Sequence, residues 1–179
     1  MADTALLIID IQNDYFPGGA MELEGADAAG AKARAVLEKF RKESLPVFHV
    51  RHLSTRPGST FFLPGTPGAE IHAEVRPREG ETVLEKNFPN SFRGTALQDH
   101  LDKHQVRNLV VAGMMTHMCV DASVRAAADL GYKVTLLADA CATRKQSFAG
   151  ETIPARQVHG AFLAALNGFY ARVINAHEL

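Results

Sequence analysis

The sequence predicts an α/β fold: one three-layer α/β/α domain with a Rossmann-like, mostly parallel six-stranded sheet. Three observations carry this. Short apolar runs alternate with helical stretches of ten or more residues, the pattern of βαβ units. The runs are apolar throughout rather than alternating, as strands covered on both faces must be. Finally, 179 residues amount to about one domain at roughly 150 residues each, and no repeat, low-complexity segment or linker divides them. A single domain over residues 1–179 is therefore expected.

In order, Ala5–Ile9 reads as a buried strand ending at Asp10. Ala26–Lys42 carries Ala33, Val36, Leu37 and Phe40 at helical spacing. Pro46–Val50 is the second strand. The stretch from Arg51 to Gly80 holds four prolines and several glycines, and ordered loops of this length usually serve function. Thr82–Leu84 is a short strand and Thr95–His104 a polar-faced helix. Asn108–Ala112, closed by Gly113, is the most apolar strand. Cys119–Leu130 is a helix with Gly131 just past its end, where a positive φ is wanted. Lys133–Ala138 is the fifth strand. Pro154–Phe169 is a helix with proline suited to its first turn, and Arg172–Asn175 a sixth strand.

Composition narrows the partners. Lys and Arg number 19 against 20 Asp and Glu, so no large positive field awaits a phosphate backbone, and nucleic acid is not an expected partner. No stretch approaches the ~20 apolar residues of a membrane span. The start Met1-Ala2-Asp3-Thr4 lacks the basic residues of a signal peptide, and Ala5–Ile9 is too short for its apolar core. A cytoplasmic, reduced protein is expected, in which two cysteines are thiols rather than a disulfide. Gly18 and Gly19 mark a turn, and neither phosphate-loop pattern occurs.

In such folds ligands bind beyond the carboxyl ends of the strands. Three reactive side chains fall there: Asp10 after the first strand, Lys86 after Thr82–Leu84, and Cys119 in the turn and helix start after Gly113. Singly, each has an ordinary reading as strand cap, surface lysine or small buried residue. Together they suit nucleophilic catalysis. A free thiol is only a few per cent thiolate at neutral pH. An ammonium and a helix N-terminus both favour the thiolate and could make it a major form. A carboxylate in reach could take the thiol proton, and a Lys–Asp pair keeps both groups charged when buried.

The surrounding strings are more specific. "LLIIDIQNDYF" at 6–16, "EKNFPNSFRGT" at 85–95 and "GMMTHMCVDASVRAAADLGY" at 113–132 resemble the isochorismatase-like cysteine hydrolase superfamily. The likeness extends to "LLADACAT" at 136–143 and the helix containing Gln157-Val158-His159. It implies an Asp–Lys–Cys triad at Asp10, Lys86 and Cys119. It also implies a cis peptide at Met114–Met115 and an oxyanion hole from the backbone N–H groups of Met115 and Cys119. True isochorismatases of the family lack the cysteine, so Cys119 points to C–N hydrolysis. The family's nicotinamidases hold a metal through an Asp-x-His pair after the second strand. Here that stretch reads Val50-Arg51-His52-Leu53-Ser54, so neither metal nor other cofactor is expected. "RPGSTFFLPGTPGAEIH" at 56–72 looks like the branch containing streptothricin hydrolase. The implied substrate is a small non-peptide amide, possibly cyclic, and the implied assembly a homo-oligomer.

For the substrate pocket the sequence offers Gln12, Phe16, His52, Phe61, Phe88 and His117. The phenylalanines are loop aromatics beside polar groups, suited to an apolar cavity with few polar anchors. Gln12 is the residue of the Gln12-Asn13-Asp14 turn expected to point inward, while Asn13 and Asp14 brace it. Thr116 is expected to brace the turn before Cys119. His100 and His104 share a helix face, but in a polar surface pattern without a third ligand. His159 reads as structural or at a subunit contact, and Cys141 as a buried neutral thiol. Two other classes stay open: a thiol redox or peroxide sensor using Cys119 and Cys141, and a catalytically degenerate ligand-binding protein on the same fold.

Overall fold

The computed structural model describes residues 3–179, and its elements follow the predicted alternation. The strand β1 (Thr4–Ile9) leads to the helix α1 (Ala26–Lys42) and then β2 (Val47–His52). β3 (Thr82–Lys86), α2 (Leu97–Lys103) and β4 (Asn108–Met114) follow. Next come α3 (Asp121–Asp129), β5 (Lys133–Ala142), the small strands β6 (Gln146–Phe148) and β7 (Glu151–Ile153), α4 (Ala155–Leu166) and β8 (Arg172–Ile174). The main sheet has the order β3-β2-β1-β4-β5-β8, with every pairing parallel.

Alternate residues of the central strands enter two cores. Leu6 and Ile8 of β1 pack with Ala33, Val36, Leu37 and Phe40 of α1 on one face. Ala5, Leu7 and Ile9 pack with Leu97 and Leu101 of α2, Val124 and Ala127 of α3 and Leu166 of α4 on the other. Burial on both faces is why these strands read as continuous apolar runs. At the centre, β4 approaches β1 so closely that a Cβ at Gly113 would strike the carbonyl oxygen of Ile9. Among the described residues no helix is long and apolar enough to cross a membrane.

The differences from the predicted boundaries have local causes. β2, β3, β4 and β5 all run further at their carboxyl ends, because the parallel ladder continues through His52↔Lys86, Gly113↔Cys141 and Met114↔Ala142. Backbone pairing is indifferent to the polar side chains that end an apolar run. The helix expected at Cys119 starts at Asp121, preceded by a wide turn over Thr116–Val120 in which the Val120 N–H reaches back to the Met115 carbonyl (3.3 Å). The last long helix stops at Leu166, before Gly168 at φ +95. The β6–β7 hairpin escapes sequence reasoning: its strands are three residues long with one large apolar residue each, too short for any apolar alternation to mark them. Its turn pairs Ala149 and Gly150, both at positive φ, as a two-residue hairpin turn of this type requires.

The segment 51–80 is ordered by the Gln12–Asp14 turn. Gln12 Nε2 donates to the carbonyls of His52 (2.9 Å) and Ala69 (2.8 Å), and its Oε1 accepts from the His52 N–H (2.7 Å). Asp14 Oδ2 accepts from the Phe62 N–H at 2.6 Å, and Asn13 Nδ2 donates to the Pro67 carbonyl at 2.7 Å. All three residues therefore brace the long segment over the end of the sheet.

A buried polar cluster closes the sheet's edge away from this end. His49, fully buried, lies 3.0 Å from Glu81, which also accepts from Arg41 (2.7 and 2.8 Å) and the Arg78 N–H (2.9 Å). Burial pulls His49 below its usual 6.5 despite Glu81. Burial pushes the Glu81 carboxyl up, but Arg41, the Arg78 N–H and His49 outweigh it and hold it at about 2. Both groups bind fewer protons folded than unfolded, so stability falls as pH falls. Thermal midpoints are expected to drop first as pH passes below about 6.5 and again between about 4.5 and 2. Glu81→Gln should flatten the second limb, and an unchanged limb would exclude this cluster as its source.

Candidate active site

The strand order reverses between β1 and β4, so the carboxyl ends of these neighbours diverge and leave a crevice at the switch point. Asp10 enters it directly after β1. Its N–H still bonds the Val50 carbonyl (2.9 Å), while its φ of +51 turns the chain out of the strand, a conformation aspartate tolerates better than most residues. Lys86 is the last residue of β3, in register with His52, the last of β2. Cys119 is delivered by the wide turn after β4.

These side chains meet. Lys86 Nζ lies 2.6 Å from Asp10 Oδ2, 3.2 Å from His52 Nδ1 and 3.4 Å from Cys119 Sγ, so the ammonium's three donors face three acceptors. The Asp10 and Lys86 side chains are both 0% exposed. Asp10 Oδ1, equally buried, accepts no hydrogen bond, which leaves a carboxylate oxygen free to take a proton. Burial pulls the Lys86 ammonium down, but Asp10 and Cys119 outweigh it and raise it above its ordinary value. Burial, with Lys86 beside it, lowers His52, so this ring is neutral.

The thiol departs from expectation. Burial and then the Asp10 carboxylate push Cys119 well above the usual thiol range, and Lys86 only partly offsets them. Cys119 thus rests as a neutral thiol, not the thiolate that an ammonium and a helix end alone would favour. The largest cause is burial of the sulfur, and the ammonium, which lies closer to Asp10 than to the sulfur, offsets it only in part. Alkylation of the resting protein by iodoacetamide should accordingly be slow at neutral pH and still be rising at pH 9–10. A rate that levels off below about pH 8 would show a resting thiolate.

A cavity of about 200 Å³ opens onto Cys119. Tyr15, Phe61, Phe62, Pro89, Met115 and Met118 form its apolar wall, and His52, Ser54, Thr55, Arg56, Ser59 and Asn87 its polar side. Of the residues offered by the sequence, His52 and Phe61 line it. The other four do not. Gln12 is spent on the backbone of His52 and Ala69. Phe16 stacks on His72 (centroids 3.5 Å apart) beside Gly30 in the α1 core. Phe88 lies under the Arg93 guanidinium, 3.7 Å from its ring centre. His117 turns toward Thr143 Oγ1 (2.5 Å) and packs edge-on to Phe162.

Sequence reasoning found Phe61 but missed its neighbour Phe62, and chose Phe16 where Tyr15 lines the cavity. In loops there is no period to say which of two adjacent aromatics faces a cavity. Asn87 and Met118 carried a usable signal, since each adjoins a reactive residue.

The Met114–Met115 peptide bond is cis. Among the described residues no backbone acceptor takes the Met115 N–H. Thr116 Oγ1 lies 3.2 Å from the Ala142 carbonyl and 2.9 Å from His159 Nδ1, and so ties the turn to β5 and α4. Cys141 is a free thiol buried on β5, pushed up to about 12 chiefly by burial, which is unfavourable to a redox partnership.

Asp10, His52 and Cys119 offer ligand atoms within 4.8 Å of one another, a grouping able to hold a metal ion. The Lys86 ammonium contacts all three, so a cation there would have to displace it. Arg51, where the family's metal-binding branch has its aspartate, is ion-paired to Glu70 and Glu85.

A buried acid, amine and thiol at the switch point of a doubly wound parallel sheet, opening on a small apolar cavity, form the site of a cysteine hydrolase. The isochorismatase domain model matches residues 4–177, and the chain belongs to the isochorismatase family. It is 51% identical over 170 residues to the isochorismatase family protein YddQ of Bacillus subtilis, covering 95% of this chain and 94% of that one. It is 34% identical to streptothricin hydrolase of Streptomyces noursei over 84% of this chain and 55% of that protein's length. The crystal structure of an isochorismatase hydrolase from Oleispira antarctica, 50% identical, superposes with a TM-score of 0.95 over 99% of this chain and 95% of its own.

Proposed function

We propose that the chain, acting as one domain over residues 1–179, hydrolyses a C–N bond of a small non-peptide amide through a thioester on Cys119. The observation that carries this is the contact of Lys86 with both Asp10 and Cys119 beside a small, partly apolar cavity. Asp10 takes the Cys119 proton as the sulfur attacks the carbonyl carbon. The N–H groups of Met115 and Cys119 hold the oxyanion, each worth about 3–4 kcal/mol of transition-state stabilisation. Asp10 returns the proton to the leaving nitrogen, the C–N bond breaks and an acyl thioester remains. Asp10 then takes a proton from water, the hydroxide attacks the thioester, and the C–S bond breaks to give the acid. The thiolate recovers the proton from Asp10. Lys86 stays charged throughout and holds the Asp10 carboxyl beside the sulfur through both half-reactions. More distant relatives named nicotinamidase and ureidoacrylate amidohydrolase support an amide substrate.

The test is a screen of small amides, lactams and ureides read by ammonia or amine release. Turnover of at least one is expected, and a complete absence of turnover with a reactive Cys119 would favour a ligand-binding role. A homo-oligomer in the cytoplasm accompanies this reading. Phe148 and Phe169, 78% and 87% exposed, are apolar surface suited to subunit contact, and light scattering that reads a monomer would remove it.

A further inference from the structure

Tyr15 is a buried phenol with nothing in the protein to bond. It is 1% exposed, its ring packs against Phe62 (centroids 4.6 Å apart) and Phe61 (6.1 Å), and it lines the cavity beside Cys119. Among the described residues its hydroxyl makes no hydrogen bond. The hydroxyl is not sealed away from solvent but reaches the cavity space, and a phenylalanine would fill the same wall without offering a donor there. Burial first, and then the neighbouring Cys119 and Asp10 side chains, hold the phenol protonated, so it is a donor.

Most of the other donors around the cavity are committed. The Lys86 hydrogens face Asp10, His52 and Cys119. Asn87 Nδ2 donates to the Leu53 carbonyl and Ser59 Oγ to the Arg56 carbonyl. Thr55 and Arg56 stand at the exposed rim. The hydroxyl of half-buried Ser54 has no partner among the described residues, and Tyr15 is the more deeply buried of these two free donors.

We propose that the Tyr15 hydroxyl donates a hydrogen bond to a second carbonyl of the substrate, beyond the one attacked by Cys119. This rests on the amide-hydrolysis reading, in which the scissile carbonyl oxygen goes to the N–H groups of Met115 and Cys119. It narrows the substrate class to amides bearing a further acyl oxygen, such as imides and ureides, over simple carboxamides and lactams. A site that offers a buried donor discriminates against a ligand lacking the matching acceptor, because the donor is then left unpaired.

The experiment uses two rings of one shape, glutarimide with two carbonyls and 2-piperidone with one. Their binding is measured calorimetrically to the full chain carrying Cys119→Ala, with and without Tyr15→Phe. Glutarimide should bind about tenfold more tightly when Tyr15 is present, and Tyr15→Phe should bring the two rings to near parity. The thermal midpoint should be unchanged, because the hydroxyl supports no protein group. A preference that survives Tyr15→Phe, equal weakening of both rings, a large fall in the midpoint, or failure of both rings to bind would each overturn the proposal. Failure of the hydrolysis reading looks different: unsubstituted protein would release no amine from any amide while the ring preference still depended on Tyr15.

Discussion

Replacing Cys119 by alanine is expected to lower amide hydrolysis by about 10⁴-fold or more and to leave the fold intact. The argument is one of chemistry and of packing. Without the sulfur no thioester can form, and what survives is direct attack by a water that Asp10 activates, aided by the oxyanion donors. The packing loss is small, because a thiol fills little more space than a methyl group and Cys119 lies against an open cavity rather than inside a closed core. Circular dichroism and the thermal midpoint should thus stay near those of the parent while amine release disappears. Cys141→Ala is the matched control. That thiol lies on β5 opposite Gly113, away from the cavity, so its loss should cost some stability and leave the rate alone. Retained hydrolysis in Cys119→Ala would remove the nucleophile assignment. Lost hydrolysis in Cys141→Ala at an unchanged midpoint would reopen a two-thiol role.

The second large effect concerns stability as much as rate. Asp10→Asn removes the base and leaves the Lys86 ammonium buried beside two neutral groups, Cys119 and His52. Breaking a buried ion pair from one side typically costs about 3–5 kcal/mol, so the single variant should be inactive and markedly destabilised. Lys86→Met leaves Asp10 as the uncompensated charge and should cost a similar amount. Asp10→Asn with Lys86→Met together removes both charges and should recover much of the lost stability with none of the activity, because a buried pair often does no better than apolar groups of similar volume. Chemical unfolding of the four proteins gives the coupling directly. Additive losses would mean that the 2.6 Å contact is energetically idle and that Lys86 serves some other end.

The sheet was legible because its strands are buried on both faces, and Leu6-Leu7-Ile8-Ile9 has no polar residue to disguise it. α1 was legible to its boundaries, since Val36, Leu37 and Phe40 recur at helical spacing on one core. The reactive trio was legible because Asp10, Lys86 and Cys119 each follow an apolar strand, and the strings around them resemble one family. The cavity wall was not. Tyr15 differs from Phe16 only in which way an irregular backbone turns, and Phe62, which joins Phe61 on the wall, sits at φ +53, a conformation its residue type does not announce. The β6–β7 hairpin was invisible because exposed strands of three residues are too short to carry an apolar pattern.

The amino-acid order by itself determined the layer architecture, the residues that reach one end of the sheet, and the presence there of an acid, an amine and a thiol. Only the tertiary structure decided how their charges are shared. Lys86 could have made Cys119 a thiolate. Burial of the sulfur weighs more, and the ammonium, which stands closer to Asp10 than to the sulfur, offsets it only in part. The thiol therefore rests protonated, with a carboxylate oxygen free to accept its proton. That relation is one of ångströms between residues 76 and 33 positions apart, which no reading of local pattern can supply.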